Sequence, residues 1–132
     1  MTDNRIPERS RQLVAVVDDS ESVRESLPDL LEQVGFAVQA FESAEAFLGS
    51  EVIDQASVLI LDVGLPGMSG PELQQELKRR GKTFPIVFIT AQGDKSLAPR
   101  LVAAGAAACL FKPFSDESLI GAVESALQKR KP

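Results

Sequence analysis

The chain has 132 residues, the size of one ordinary domain, and 44% of them are hydrophobic, enough for a single core. It contains no histidine and one cysteine, which excludes Ser-His-Asp and Cys-His hydrolases, histidine metal clusters and any internal disulfide. The net charge of −5 argues against direct nucleic-acid binding, because such proteins usually carry a basic excess on one face.

The first predicted strand and helix follow a polar start. We expect residues 1–11 to form a flexible N-terminal segment. The apolar run Gln12–Val17 is typical of a strand buried on both faces. A helix is predicted next, with Ser20 as its N-cap and Gly35 as its stop. Pro28 lies inside this helix and should bend it or remove one of its hydrogen bonds.

The middle of the chain alternates in the same way. Weaker apolar patterns predict a second strand at Phe36–Phe41 and a short helix at Ser43–Leu48. Val58–Leu61 is another continuous apolar run, typical of a buried strand. Leu73 and Leu77 share one face of a third helix.

The last part of the chain completes the pattern. Ile86–Ile89 predicts a fourth strand, and Ala107–Phe111 is a weaker candidate for a fifth. Between them, a helix that contains Pro99 should begin near Ser96, because the first amides of a helix lack partners anyway. A final helix follows a predicted cap at Ser115.

Strand and helix thus alternate five times, which predicts an α/β fold with one doubly wound parallel sheet. In such sheets, ligands bind beyond the carboxyl ends of the strands. Residues with reactive or charged side chains directly follow or end four of the five predicted strands, namely Asp18 and Asp19, Asp62, Thr90, and Lys112.

These side chains predict phosphoryl-transfer chemistry. Three carboxylates at one sheet edge repel each other, and Lys112 together with Mg²⁺ would balance them. A carboxylate so placed can attack a phosphoryl group and form an acyl phosphate, while Thr90 donates a hydrogen bond to a phosphoryl oxygen. Each residue alone has an ordinary explanation, such as a helix cap or a turn. Their shared position at the strand ends favours a functional site.

The chain resembles the receiver domain of bacterial two-component response regulators, in particular its FixJ-like branch. The resemblance covers residues 12–130 and rests on the segments VAVVDDSESVRESL, LILDVGLPGMSGPEL, IVFITAQGD and LFKPF. It implies a flavodoxin-like fold with five helices and strand order 2-1-3-4-5. It leaves residues 131–132 as a tail or the start of a linker.

The resemblance also implies roles for the site residues. Asp62 would be the phosphoacceptor, Thr90 the switch hydroxyl, and Lys112 the cation that pairs with the phosphoryl group. A cis peptide is implied at Lys112-Pro113. The implied Mg²⁺ site is formed by Asp19, Asp62 and the carbonyl of Gly64, with Asp18 acting through water.

The implied function is a phosphorylation-dependent signalling switch in a cytoplasmic phosphorelay. The phosphoryl donor would be a sensor histidine kinase or phosphotransfer protein, in agreement with the absence of histidine here. Such a domain is not a conventional enzyme, although it assists its own phosphorylation and dephosphorylation. It would contact neither membrane nor nucleic acid, and a homodimer through helix 4, strand 5 and helix 5 is implied as possible. The open alternative is a receiver-like interaction module that acts without phosphorylation.

Two other classes fit the sequence less well. A flavodoxin would need a hydroxyl- and glycine-rich loop after strand 1, where this chain has the acidic run Asp18-Asp19-Ser20-Glu21. A phosphatase of the haloacid dehalogenase type would need a second acid at the position of Ser20.

The chain departs from the receiver pattern near its fifth strand. Receivers commonly carry Tyr or Phe three residues before the lysine, where Cys109 stands here. Phe111 adjoins the lysine, but strand alternation points it to the opposite face from Lys112. We therefore expect output through Thr90 and backbone shifts of helix 4, without a ring movement. Gln92 would flank the phosphoryl group and could orient water there.

Overall fold

The computed structural model describes residues 12–91 and 96–130. The expectations for residues 1–11, for residues 131–132 and for Gln92 lie outside these ranges. Within them, five strands alternate with five helices. The strands are β1 (Leu13–Val17), β2 (Ala37–Phe41), β3 (Val58–Asp62), β4 (Ile86–Ala91) and β5 (Ala108–Lys112). The helices are α1 (Glu21–Gln33), α2 (Ala44–Leu48), α3 (Gly70–Arg79), α4 (Leu97–Ala103) and α5 (Asp116–Arg130).

The strands form one parallel sheet in the order β2-β1-β3-β4-β5, which confirms the predicted fold. The register sets Val17 beside Leu61 and Ala91 beside Lys112. All carboxyl ends therefore lie at one edge of the sheet, where the site residues were predicted.

The core lies in two layers, one on each face of the sheet. Every residue of β3 is buried, as expected for a central strand covered on both sides. One layer contains apolar side chains of α2, α3 and α4 packed on residues such as Leu59 and Leu61. The other contains side chains of α1 and α5 packed on Val58 and Ile60. The sheet is thus held rigidly behind its carboxyl edge.

Serine side chains cap some of the helices, and the cap at Ser115 was predicted. Ser43 and Ser115 cap α2 and α5 by accepting hydrogen bonds from the amides of Ala46 and Ser118, each at 3.0 Å. Pro99 is the third residue of α4 and so lies in the first turn, as expected.

Two local features differ from the sequence-based expectation. Ser20 occupies the N-cap of α1, but its side chain makes no capping bond and its hydroxyl lies 3.0 Å from that of Ser22. A short 3-10 turn at Glu51–Asp54, which the sequence pattern did not predict, precedes β3. Among the described helices, none is both long and apolar enough to cross a bilayer.

Candidate functional site

The carboxyl ends of β1 and β3 bring three carboxylates together. Asp62 is the last residue of β3, and Asp18 and Asp19 directly follow β1. One carboxylate oxygen from each of the three lies within 4.8 Å of the others. Asp18 is fully buried and Asp62 is 7% exposed, whereas Asp19 faces solvent. The three aspartates predicted from the sequence therefore form one cluster with a buried floor and an open side.

Lys112 reaches this cluster from the end of β5. Its Nζ lies 3.1 Å from Oδ2 of Asp18 and 4.0 Å from Oδ1 of Asp62. The peptide bond that follows, Lys112-Pro113, is cis, as the resemblance implied. Lys112 thus places one positive charge between two carboxylates that burial would otherwise leave poorly compensated.

Asp18 is held by two further contacts that the sequence analysis missed. The amide of Ser20 donates to Oδ1 of Asp18 at 2.8 Å, which explains why this turn is ordered without a Ser20 side-chain cap. Nη1 of Arg24, one turn into α1, donates to the main-chain carbonyl of Asp18 at 3.0 Å. The contact of Arg24 could have been predicted from one signal: a basic residue stands one turn into the helix that follows the two aspartates.

The electrostatics of Asp62 reflect this crowding. Burial raises the pKa of the Asp62 carboxyl above its ordinary value, and the charge of Asp18 raises it further. Lys112 and the amide of Gly64, which donates to Oδ1 of Asp62 at 3.4 Å, oppose that shift in part. The net direction of the Asp62 pKa is upward, chiefly because the carboxyl is buried.

The donor set fits a hard divalent cation. Carboxylate oxygens are the ligands that Mg²⁺ prefers, and a magnesium ion usually keeps several waters and is held by one or two carboxylates. Asp19 leaves the outer side accessible to water. A Cβ built on Gly64 would meet nothing within 4 Å, so the space beside the loop after β3 is open.

Thr90 approaches the same edge from β4. Ile89 is in register with Asp62, and Thr90 is one residue further along. Its Oγ1 lies 3.4 Å from the carbonyl oxygen of Ala91, and within the described chain it makes no hydrogen bond to the three aspartates. Thr90 therefore lies at the carboxyl edge of the sheet, and its hydroxyl is not engaged by the acidic cluster.

The register of β4 and β5 places an aromatic ring beside this threonine. Cys109 is in register with Phe88 and packs against the core, and burial raises the pKa of its thiol, in agreement with a small apolar role. Phe111 is in register with Thr90, and alternation puts it on the same sheet face as Cys109. The position expected for an aromatic holds Cys109, while a ring lies two residues further along that face.

Comparisons with known proteins agree with this geometry. Residues 14–124 match the family model for the response regulator receiver domain. The chain is 39% identical over 116 residues to the response regulator protein TodT of Pseudomonas putida, with 88% of this chain and 51% of TodT covered. It is 44% identical over 114 residues to the transcriptional regulatory protein FixJ of Azorhizobium caulinodans, with 86% and 54% covered. The chain therefore spans about half the length of the curated relatives it matches.

Solved structures show the same fold. The response regulator StyR superposes with a TM-score of 0.83 at 45% identity, over 90% of this chain and 60% of that one. The structure titled FixJ-N has a TM-score of 0.81 at 38% identity, over 92% and 97%. Fold and sequence thus place the chain in the class of response regulators. This chain belongs to the response regulator receiver domain family.

Proposed function

We propose that this domain is a signalling switch that accepts a phosphoryl group on Asp62. The observation that carries the proposal is the convergence of three carboxylates within 4.8 Å at the sheet edge, with Nζ of Lys112 beside two of them. A buried strand end presents a nucleophilic oxygen in a fixed position, and the adjacent cation favours binding of an anionic phosphoryl group there.

In the transfer, a carboxylate oxygen of Asp62 attacks the phosphorus atom of a phosphohistidine on a sensor kinase or phosphotransfer protein. The new P–O bond forms as the P–N bond breaks, and the departing imidazole nitrogen takes the electron pair and later a proton from solvent. The product on this domain is an acyl phosphate. Orientation of the attacking oxygen is the main contribution of β3, because phosphoryl transfer depends chiefly on position and charge.

The other residues act on the phosphoryl oxygens. The Lys112 ammonium pairs with one of them, and the Thr90 hydroxyl donates to another. Bound Mg²⁺ would supply further neutralisation of the charge on these oxygens. The residues that would hold it are Asp19, Asp62 and the carbonyl of Gly64, with Asp18 acting through water.

The domain is thus a self-modifying switch rather than a conventional enzyme, and the same residues would assist formation and hydrolysis of its own acyl phosphate. We assign residues 12–130 to the receiver domain. We place the switch in the cytoplasm, with no direct contact to nucleic acid or membrane. The proposed homodimer face consists of α4, β5 and α5, where Val102 is 49% exposed.

The test is labelling with radioactive acetyl phosphate in the presence and absence of Mg²⁺. We expect Mg²⁺-dependent incorporation that hydroxylamine releases, since hydroxylamine cleaves acyl phosphates. Asp62→Asn should abolish the label. The matched control is Asp54→Asn, which changes an exposed carboxylate just before the opposite end of β3 and should label normally.

The outcomes separate the two functions considered. A label that persists in Asp62→Asn would contradict Asp62 as the acceptor. A folded wild-type protein that takes up no label from acetyl phosphate or from a phosphohistidine donor would favour an interaction module that acts without phosphorylation.

A further inference from the structure

We infer that Glu45, on α2, is a positioning residue that anchors the loop between β3 and α3 and so fixes the carbonyl of Gly64 beside Asp62. This inference rests on the proposed function, because it concerns the loop of the same site. Glu45 belongs to a helix that contributes no residue to the acidic cluster. It connects to the loop through one carboxylate oxygen.

The contact is specific in geometry. The amide of Met68 donates to Oε2 of Glu45 at 3.0 Å, across 23 residues of sequence. Gly67 has a φ of +72°, and a Cβ built there would lie 2.9 Å from the same oxygen. A side chain at this position would therefore displace the carboxylate as well as strain the backbone. The bare backbone of Gly67 and the amide of Met68 together form the seat of the Glu45 carboxylate.

The start and the end of the loop are tied to Asp62 and to the core. The amide of Gly64 donates to Oδ1 of Asp62, and Leu65 is buried in the core. At the other end, a Cβ on Gly70 would lie 2.5 Å from the main-chain carbonyl oxygen of Asp62, so only glycine allows this close approach. The backbone therefore leaves Asp62 and returns to it within eight residues.

The exposed middle of the loop is where Glu45 acts. Pro66 and Gly67 face solvent, so burial contributes little to holding them. The Glu45 hydrogen bond joins this exposed part to a separate element of the fold. Loss of that bond would leave the buried Leu65 side chain, the long Gly64 contact and the close approach of Gly70 to hold the loop, which would widen the range of positions of the Gly64 carbonyl.

Glu45 projects from a well-fixed base. Ala44 and Phe47, on either side of it in α2, are fully buried, and the Ser43 cap closes the first turn. The hydrogen bond from Met68 lowers the pKa of the Glu45 carboxyl, so its ionised form is the stable one in the folded protein. An ionised acceptor on a rigid helix is suited to hold a flexible backbone segment in one place.

The experiment compares Glu45→Ala, Glu45→Gln and wild type by two measurements. The first is amide hydrogen exchange at Met68 without Mg²⁺, which depends on the hydrogen bond alone. The second is the Mg²⁺ concentration that gives half the maximal rate of labelling by acetyl phosphate. We expect Glu45→Ala to speed exchange at Met68 about tenfold and to raise the half-maximal Mg²⁺ concentration by about the same factor.

A general loss of stability would lower the maximal rate and leave the Mg²⁺ dependence unchanged. Glu45→Gln keeps an acceptor oxygen without the charge and should give values of both measurements between those of Glu45→Ala and wild type. Glu51→Ala, which removes an exposed carboxylate from the 3-10 turn, is the matched control. Gly67→Ala should reproduce the Glu45→Ala effect from the loop side, and it provides a second test if Glu45→Ala folds poorly.

Unchanged exchange at Met68 and unchanged Mg²⁺ dependence in Glu45→Ala would overturn the inference. Failure of the proposed function looks different. If wild type takes no label while Met68 exchange still responds to Glu45→Ala, the anchor exists and the phosphoacceptor assignment is wrong.

Discussion

The centre of the sheet at β3, its rigid side, is packed more tightly than the edge at β5, its loose side. On the β3 side, all five strand residues are buried, and the adjacent α3 buries four of its residues. On the β5 side, every strand residue is only half-buried, and α4 has seven residues of which one, Leu101, is buried. The acidic cluster stands on the first side, whereas Thr90 and Lys112 approach from the second. The carboxylate that we propose to react is thus held by the rigid part of the fold, and the groups that would respond to it belong to the looser part.

The largest effect should separate the two sides directly. Leu59 is fully buried in β3, so Leu59→Ala should lower the free energy of unfolding by about 2–5 kcal/mol. Leu110 is half-buried in β5. Leu110→Ala removes the same atoms and should lower the free energy of unfolding by about 1–2 kcal/mol. Denaturant unfolding of both variants measures the difference. Equal losses would show that the two sides are packed alike.

The next effect concerns the contact that joins the two sides. Lys112→Met leaves the buried Asp18 carboxylate without its cation, and we expect a loss of roughly 1–3 kcal/mol in the absence of Mg²⁺. Added Mg²⁺ should restore part of this loss because it supplies positive charge at the same place. Thermal unfolding with and without Mg²⁺ measures both values.

A lysine in a different setting provides the control for that measurement. Lys82 pairs with the exposed carboxylate of Asp54, so Lys82→Met should change stability by less than about 1 kcal/mol and show no dependence on Mg²⁺. If Lys112→Met behaved like Lys82→Met, the ion pair at the site would not contribute to joining β5 to β1.

A smaller effect concerns the charge on the rigid side. The pKa of Asp62 is raised in the folded protein, so its ionised form is less favourable folded than unfolded. Without Mg²⁺, stability should therefore fall as the pH rises from the ordinary carboxyl range through the raised pKa. Asp62→Asn has no carboxyl group to titrate here, so its stability should not fall over this pH range. At neutral pH it should be more stable than wild type by about 0.5–2 kcal/mol.

The pH dependence provides the check on that gain. The free energy of unfolding is measured in EDTA as a function of pH. The stability gained by Asp62→Asn should grow between the ordinary carboxyl pKa and the raised pKa of Asp62, and then remain constant. An advantage that did not change with pH would mean that the asparagine acts through packing instead of charge.

The sequence predicted the inner strands better than the edge strands. Continuous apolar runs mark β1 and β3 because both faces of these strands are covered, and the residues after them follow from the rule for parallel sheets. The edge strands β2 and β5 gave weaker patterns because each is partly exposed. Their existence was still predicted correctly.

Contacts between elements distant in the chain could not be predicted from the sequence. The bond from Met68 to Glu45 crosses 23 residues and has no local pattern. The pairing of Thr90 with Phe111 depends on the register of β4 and β5, which composition and periodicity do not determine. Strand alternation predicted the face of Phe111 but not its neighbour.

The smallest effect on stability should be the most informative about the loose side. Thr90→Val keeps the shape of the side chain and removes a hydroxyl whose described contact is a 3.4 Å approach to the carbonyl of Ala91, so stability should change by less than about 0.5 kcal/mol. We expect the variant to be labelled on Asp62 but to lose the phosphorylation-dependent change in amide exchange along α4. A parallel Phe111→Leu variant removes the ring beside Thr90 and, if output needs no ring movement, should keep that change. Loss of the response in both variants would show that Phe111 supplies the ring that Cys109 lacks, and the signal would then pass from the rigid carboxylate through a threonine–aromatic pair on adjacent strands.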